Sequence, residues 1–128
     1  FKAVNDTYGH QTGDRVLVTL SRCLKGTVRK YDLVGRYGGE EFMIVLPGSS
    51  AADALDTAER IRAQIEETAI DSPTGPVRVT ISMGVAGTEH FRDVGAEQII
   101  AEADKALYAA KRGGRNRVIL ARPAEAAG

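Results

Sequence analysis

The sequence has few of the residues on which several classes of protein depend. Cys23 is the only cysteine among 128 residues, so no disulfide can form within the chain, which fits a reducing compartment such as the cytoplasm. Aromatic residues make up 5% of the chain, and 17 basic residues balance 17 acidic ones. The chain therefore lacks the stacking groups and the basic field typical of nucleic-acid modules, and it has no net attraction to an anionic membrane. No apolar run is long enough to span a bilayer, and no signal-peptide pattern is present.

Length and composition indicate one globular domain. The chain has 43% hydrophobic and 27% charged residues, which is ordinary for a protein with a buried core. We place the domain at residues 1–121 and interpret residues 122–128, rich in proline and alanine, as a tail. Because Phe1 is not an initiator methionine, we expect the chain to be part of a longer protein.

Apolar residues that recur at three- and four-residue steps predict three amphipathic helices. The first is expected to begin at Asp14, a suitable N-cap, after a loop that covers residues 1–13. The second begins near residues 49–53. Its outer face is interpreted as solvated surface with paired charges, carried by Glu59, Arg60, Arg62, Glu66 and Glu67. The third covers residues 96–111 and is stopped by a Gly-Gly pair.

Strand-like segments lie between these helices and after the last one. Residues 33–46 predict a hairpin with a Gly-Gly pair at its turn, and residues 77–83 and 117–120 predict two further strands. The order predicts an α+β fold in which helices flank an antiparallel sheet. A ferredoxin-like arrangement needs one more strand before the first helix, and we expect that strand to precede Phe1.

Two adjacent acids, Glu40 and Glu41, follow the glycine pair of the hairpin. Such close like charges repel each other unless a metal ion or another cation lies beside them. Carboxylate oxygens are ligands that Mg²⁺ prefers, and a metal held in this way can bridge the phosphates of a nucleoside triphosphate. The alternative is that both acids are only solvated at the tip of a hairpin.

Basic and amide groups suited to a nucleotide occur at two other places. Lys111 and Arg115 end the third helix and could neutralise phosphates, or they could only complement the helix C-terminus. Lys2, Asn5 and Asp14 precede or begin the first helix. A carboxylate such as that of Asp14 can accept hydrogen bonds from guanine N1 and N2, although Asp14 could equally serve only as the helix cap.

Four segments in this order resemble the GGDEF family of diguanylate cyclases, and together they cover residues 1 to about 120. They are Phe1-Lys2 with Asn5-Asp6, Gly9-His10 and Gly13-Asp14; Arg36-Tyr37-Gly38-Gly39-Glu40-Glu41-Phe42; Ile81-Ser82-Met83-Gly84-Val85-Ala86; and Ala103-Asp104-Lys105-Ala106-Leu107-Tyr108 with Ala110-Lys111 and Gly114-Arg115-Asn116.

The resemblance implies a fold of the nucleotidyl-cyclase and polymerase-palm type, and condensation of two GTP into cyclic di-GMP plus pyrophosphate. Two copies of the chain would face each other as a homodimer, each holding one GTP. An upstream sensor or receiver domain would regulate them. Glu40 and Glu41 would bind Mg²⁺ (or Mn²⁺), with Glu40 nearest the attacking hydroxyl.

The resemblance also implies the substrate contacts. Asn5 and Asp14 match the guanine contacts, and Lys2, Lys111 and Arg115 match the phosphate contacts. Gly38 and Gly39 would let the backbone approach GTP closely.

A second site is implied by Arg29 and Asp32, whose spacing before the Gly-Gly pair resembles the inhibitory product site of the family. Arginine can stack on guanine and donate to its N7 and O6, while aspartate accepts from its Watson–Crick edge. Arg60, on the second helix, resembles a secondary contact in that site. The alternative is that Arg29 only ends a helix and Asp32 only begins a strand.

The family carries an Asp-rich strand before the Phe-Lys pair, and its first aspartate is a metal ligand. We therefore expect residues 1–128 alone to be destabilised and to have little cyclase activity. The competing hypothesis is a GGDEF-like receptor that binds cyclic di-GMP without making it.

Overall fold

The computed structural model describes residues 9–29, 32–36 and 41–123, and the described part contains three long helices and four short strands. In chain order they are α1 (His10–Thr27), β1 (Leu33–Arg36), β2 (Phe42–Val45), α2 (Ala51–Glu67), β3 (Met83–Val85), a 3₁₀ turn (Thr88–His90), α3 (Ala96–Arg112) and β4 (Val118–Leu120). The chain divides into two compact units, one formed by residues 1–47 and 63–79 and the other by residues 48–62 and 80–128.

Helix α1 begins four residues earlier than its sequence predicts. His10 is its first residue and Gly9 lies at the N-cap with φ 90°, so the prediction that Asp14 caps the helix is wrong. Thr12 and Gly13 are both buried, and Gly13 N donates to Gly9 O at 3.1 Å. Tertiary packing of this first turn outweighs the loop-like composition, because most helical stability in proteins comes from a buried face.

The predicted hairpin is confirmed as an antiparallel pair, β1 and β2, with Arg36 opposite Phe42 and Leu33 opposite Val45. Leu33 and Val45 are 64% and 45% exposed, so these two side chains lie on the solvent-exposed face of the two strands. Farther along the first unit, Ile70 and Val77 form an antiparallel bridge around the predicted turn.

The strand predicted at residues 77–83 is displaced toward its C-terminal end. Burial alternates along residues 77–81 as the sequence indicates, but the paired strand β3 begins at Met83. A strand requires a partner for its backbone as well as an alternating pattern, and β3 finds that partner in β4.

In the second unit, β3 and β4 run parallel, with Met83 opposite Val118 and Val85 opposite Leu120, so the prediction of one antiparallel sheet is wrong for these two strands. Parallel strands need a long crossover connection, and α3 supplies it, whereas the short connection between β1 and β2 gives antiparallel pairing. Gly84 brings β3 so close to α3 that a Cβ atom there would overlap the Ala103 carbonyl and the Leu107 amide.

The start and end of the later helices agree with their sequence signals. The Asp53 amide donates to Ser50 Oγ at 3.1 Å at the start of α2, and the Ala51 amide donates to Glu89 Oε1 at 2.6 Å. Helix α3 ends at Arg112, and Gly113 caps it as predicted. Within the described residues, no helix has the length and apolarity needed to cross a membrane.

Candidate nucleotide site

The described part of the chain contains some of the predicted GTP contacts and not others. Asp14 and Glu41 belong to the first unit, and Lys111 and Arg115 belong to the second. The remaining contacts lie outside the described residues; they are Lys2, Asn5, Gly38, Gly39 and Glu40.

Glu41 immediately precedes β2 and is partly buried. The pairing of Arg36 with Phe42 closes the described end of the hairpin, so the Gly-Gly-Glu-Glu segment connects two strands whose register is fixed. Carboxylates at this position are hard oxygen donors, which fit Mg²⁺ or Mn²⁺. Within residues 9–29, 32–36 and 41–123, no group of three or more His, Cys, Asp or Glu side chains could hold a metal ion.

Asp14 is exposed in the second turn of α1, four residues past the start of the helix. Because it does not cap α1, the structural role that competed with ligand binding is removed. Its carboxylate is directed to a surface position where it can accept hydrogen bonds.

Lys111 and Arg115 lie on either side of the turn that ends α3. The carbonyls of the last helical turn accept hydrogen bonds from backbone amides: Gly113 N donates to Ala109 O at 2.8 Å, and Arg115 N donates to Ala110 O at 2.9 Å. The backbone itself therefore satisfies these orphan carbonyls, so neither cationic side chain is needed as a cap.

The turn after α3 has an unusual backbone. Gly114, Arg115 and Asn116 have φ of 122°, 63° and 47°, in succession. The left-handed conformation costs a non-glycine residue about 1–2 kcal/mol, so neighbouring groups must hold it. Arg117 is one of them, because its Nε donates to Arg115 O at 3.0 Å.

A second neighbour of this turn is Arg62, which the sequence assigned to a solvated face. Its Nη1 donates to Asn116 Oδ1 at 2.9 Å, and its Nε donates to Glu59 Oε1 at 2.8 Å. The Arg62 side chain is only 16% exposed, so the prediction of solvated surface is wrong for this residue. Periodicity could not reveal the contact, since Arg62 and Asn116 are 54 residues apart in the chain.

Arg29 and Asp32, the predicted product site, are brought together in the first unit. Arg29 Nε lies 3.2 Å from Asp32 Oδ2, Arg29 Nη2 lies 3.1 Å from Asp32 Oδ1, and the Arg29 amide donates to Oδ2 at 2.7 Å. Arg29 Nη2 also donates to Pro47 O at 3.0 Å. The side-chain hydrogen bonds from Arg29 hold the pKa of Asp32 below its ordinary value of 3.8.

The two members of this pair differ in exposure. The Arg29 side chain is 43% exposed, whereas that of Asp32 is 1% exposed. The Arg29 side chain is therefore partly accessible to solvent, while the Asp32 side chain is buried. Arg60 is exposed on the part of α2 that belongs to the second unit, and its assignment to the product site stays a prediction.

A family model and individual relatives assign the chain to the same family. The family described as "Diguanylate cyclase, GGDEF domain" matches residues 1–117. Diguanylate cyclase A of Treponema denticola is 46% identical over 95% of this chain, and diguanylate cyclase DosC of Escherichia coli K12 is 46% identical over 94%. The chain spans only 33% and 26% of the lengths of these two relatives.

Solved structures agree with the sequence comparison. An active GGEEF domain of a diguanylate cyclase from Vibrio cholerae has a TM-score of 0.87 at 35% identity, over 96% of this chain and 77% of that one. Diguanylate cyclase SiaD of Pseudomonas aeruginosa, solved with its activator SiaC, has a TM-score of 0.86 at 42% identity, over 94% of this chain and 45% of that one. The predicted α+β, palm-type fold class is confirmed.

Proposed function

Because the chain belongs to the GGDEF family of diguanylate cyclases, we propose that it condenses two GTP into cyclic di-GMP. Each 3′-hydroxyl attacks the α-phosphate of the other GTP, so two ester bonds form and two phosphoanhydride bonds break. Two pyrophosphates leave, and the two hydroxyl protons pass to solvent. The observation that carries this proposal is the family match over residues 1–117, which includes the described hairpin and the turn after α3.

Glu40 and Glu41 are proposed to hold the divalent ion beside the phosphates. Bound Mg²⁺ or Mn²⁺ would neutralise phosphate charge. The position of Glu41 directly before β2 supports this role, and Glu40 would lie nearest the attacking hydroxyl. In phosphoryl transfer the protein mainly positions groups and stabilises charge, which is what a hairpin of fixed register can do.

The remaining substrate contacts fall into two groups, those to the guanine base and those to the phosphates. Asp14 and Asn5 are proposed to bind guanine, and Lys2, Lys111 and Arg115 are proposed to bind the phosphates. The support for Lys111 and Arg115 is that they flank the turn after α3, where backbone amides already donate to the Ala109 and Ala110 carbonyls. Gly38 and Gly39 would allow the close backbone approach that side chains would prevent.

The reaction and its control imply specific partners. Since each GTP must attack the other, two copies of the chain are proposed to act as a homodimer. A sensor or receiver domain elsewhere in the protein would regulate them, in the cytoplasm, where GTP is available. Arg29 and Asp32, with Arg60, are proposed to bind cyclic di-GMP and inhibit turnover.

Turnover by the full-length protein tests the proposal. Incubation with GTP and Mg²⁺ should release pyrophosphate and form cyclic di-GMP, and Glu40→Gln should lower the rate at least a hundredfold while leaving the fold unchanged. Glu67→Gln, at an exposed acid near the end of α2, is the matched control and should retain the wild-type rate.

The competing hypothesis predicts different results. A receptor would bind cyclic di-GMP with the wild-type protein and release no pyrophosphate. Wild-type turnover that survives Glu40→Gln would contradict the proposed role of the acids, and the absence of wild-type turnover would contradict the cyclase assignment.

A further inference from the structure

Arg62 joins α2 to the turn that follows α3, within the second unit. Its guanidinium donates to two acceptors at once, Asn116 Oδ1 at 2.9 Å through Nη1 and Glu59 Oε1 through Nε at 2.8 Å and Nη2 at 2.5 Å. Glu59 is one helical turn before Arg62, so the acid fixes the direction in which the guanidinium points. Because the guanidinium is planar and its N–H donors have fixed directions, the contact with Glu59 also fixes where Nη1 meets Asn116 Oδ1.

Asn116 is the residue through which this contact can set the shape of the turn. It follows Arg115 directly, and both residues have positive φ. Hydrogen bonds around these two residues include the Arg62 contact with the Asn116 side chain, the Arg117 contact with Arg115 O, and the bond from the Arg115 amide to Ala110 O. If Asn116 loses its contact with Arg62, the turn that carries Arg115 loses a hydrogen bond that ties it to α2.

We propose that Arg62 is a positioning residue for GTP binding, which acts through Asn116 to hold the turn that carries Arg115. This inference rests on the proposed function, in which Arg115 and Lys111 bind the phosphates of GTP. Arg62 itself contacts no substrate in this proposal. A phosphate contact needs its cation within hydrogen-bond distance, so a displaced turn weakens GTP binding more than it changes the chemical step.

The test compares steady-state kinetics of variants of the full-length protein. Arg62→Met keeps a long side chain and removes every donor, and Asn116→Gly removes the acceptor while tolerating positive φ. Each change should raise the KM for GTP about tenfold and change kcat less than about threefold, the size expected for one charge-assisted hydrogen bond. Arg92→Met, at an exposed arginine in the loop before α3, is the matched control and should leave KM unchanged.

The double variant Arg62→Met with Asn116→Gly distinguishes positioning from general damage. Two residues that act through one hydrogen bond should be non-additive, so its KM should stay within about twofold of the weaker single variant. A KM raised about a hundredfold would show independent effects and overturn the inference. Loss of the folded fraction would lower kcat with an unchanged KM, which would also overturn it.

The outcome for the wild-type protein separates the two proposals. If the wild type releases pyrophosphate and Arg62→Met has a wild-type KM, the positioning role is wrong while the cyclase assignment stands. If the wild type has no turnover, the cyclase assignment fails and the inference fails with it.

Discussion

Replacing Gly84 with alanine should loosen the packing of β3 against α3. A Cβ atom at this position would overlap the carbonyl oxygen of Ala103 and the amide nitrogen of Leu107, and it would lie 3.0 Å from Leu107 Cα. All three are backbone atoms of a helix, so they cannot rotate away as a flexible side chain could. The strand or the helix must move to admit the methyl group.

The size of the effect follows from the cost of overpacking a well-packed interior, about 1–3 kcal/mol. If the free energy of local opening falls by this amount, amide exchange becomes roughly 5- to 150-fold faster. The change should be greatest in β3 and in the α3 segment that faces it.

Hydrogen exchange measured by mass spectrometry reports these segments separately in the full-length protein. Gly26→Ala is the matched control, because no neighbouring atom lies within 4 Å of its Cβ position and alanine favours the helix. It should leave exchange in β3 and α3 unchanged. If Gly84→Ala also left exchange there within twofold of wild type, the close approach would not constrain this residue.

Three further predictions concern other contacts. Arg29→Ala should relieve inhibition by cyclic di-GMP and change the KM for GTP less than about twofold, because the residue belongs to the proposed product site; an equal loss of turnover would contradict a separate site. Arg29 lowers the pKa of Asp32, whose ordinary value is 3.8. The stabilising effect of the pair is therefore present above pH 3.8 and is lost as the pH falls below that value. A carbon NMR titration should find the midpoint of Asp32 below 3.8 in wild type and higher in Arg29→Ala. Equal midpoints would show that Arg29 does not lower this pKa. Ser50→Ala removes the acceptor for the Asp53 amide and should destabilise the start of α2 by about 1 kcal/mol, seen as faster exchange confined to that turn.

Local patterns in the sequence predicted most of the elements. The Gly-Gly pair between apolar runs indicated the hairpin of β1 and β2, and Gly113 indicated the end of α3, because turns and caps depend on neighbouring residues. The start of α1 was predicted wrongly because it depends on burial of Thr12, which packing decides. Likewise, alternation at residues 77–81 predicted burial correctly but could not predict where β3 would find its partner.

In the candidate site too, contacts between residues close in the sequence could be predicted and contacts between distant residues could not. The resemblance to the family assigned Arg29 and Asp32 to one site, and the two side chains are in contact, while their role as a product site stays a prediction. The contact between Arg62 and Asn116 joins distant parts of the chain, and an arginine among charged helix residues has no sequence signal that distinguishes it. Long-range polar contacts of this kind follow from the fold and not from the local pattern.

The covered carboxylate of Asp32 has a consequence for any purine that engages it. Such a ligand must displace an intramolecular guanidinium before it can donate to the same oxygens, and Arg29 must at the same time give up its fork geometry. The measured affinity is then the intrinsic affinity multiplied by the fraction of molecules in which the pair is open. A closed pair of this kind would raise the concentration of cyclic di-GMP needed to half-saturate the proposed product site.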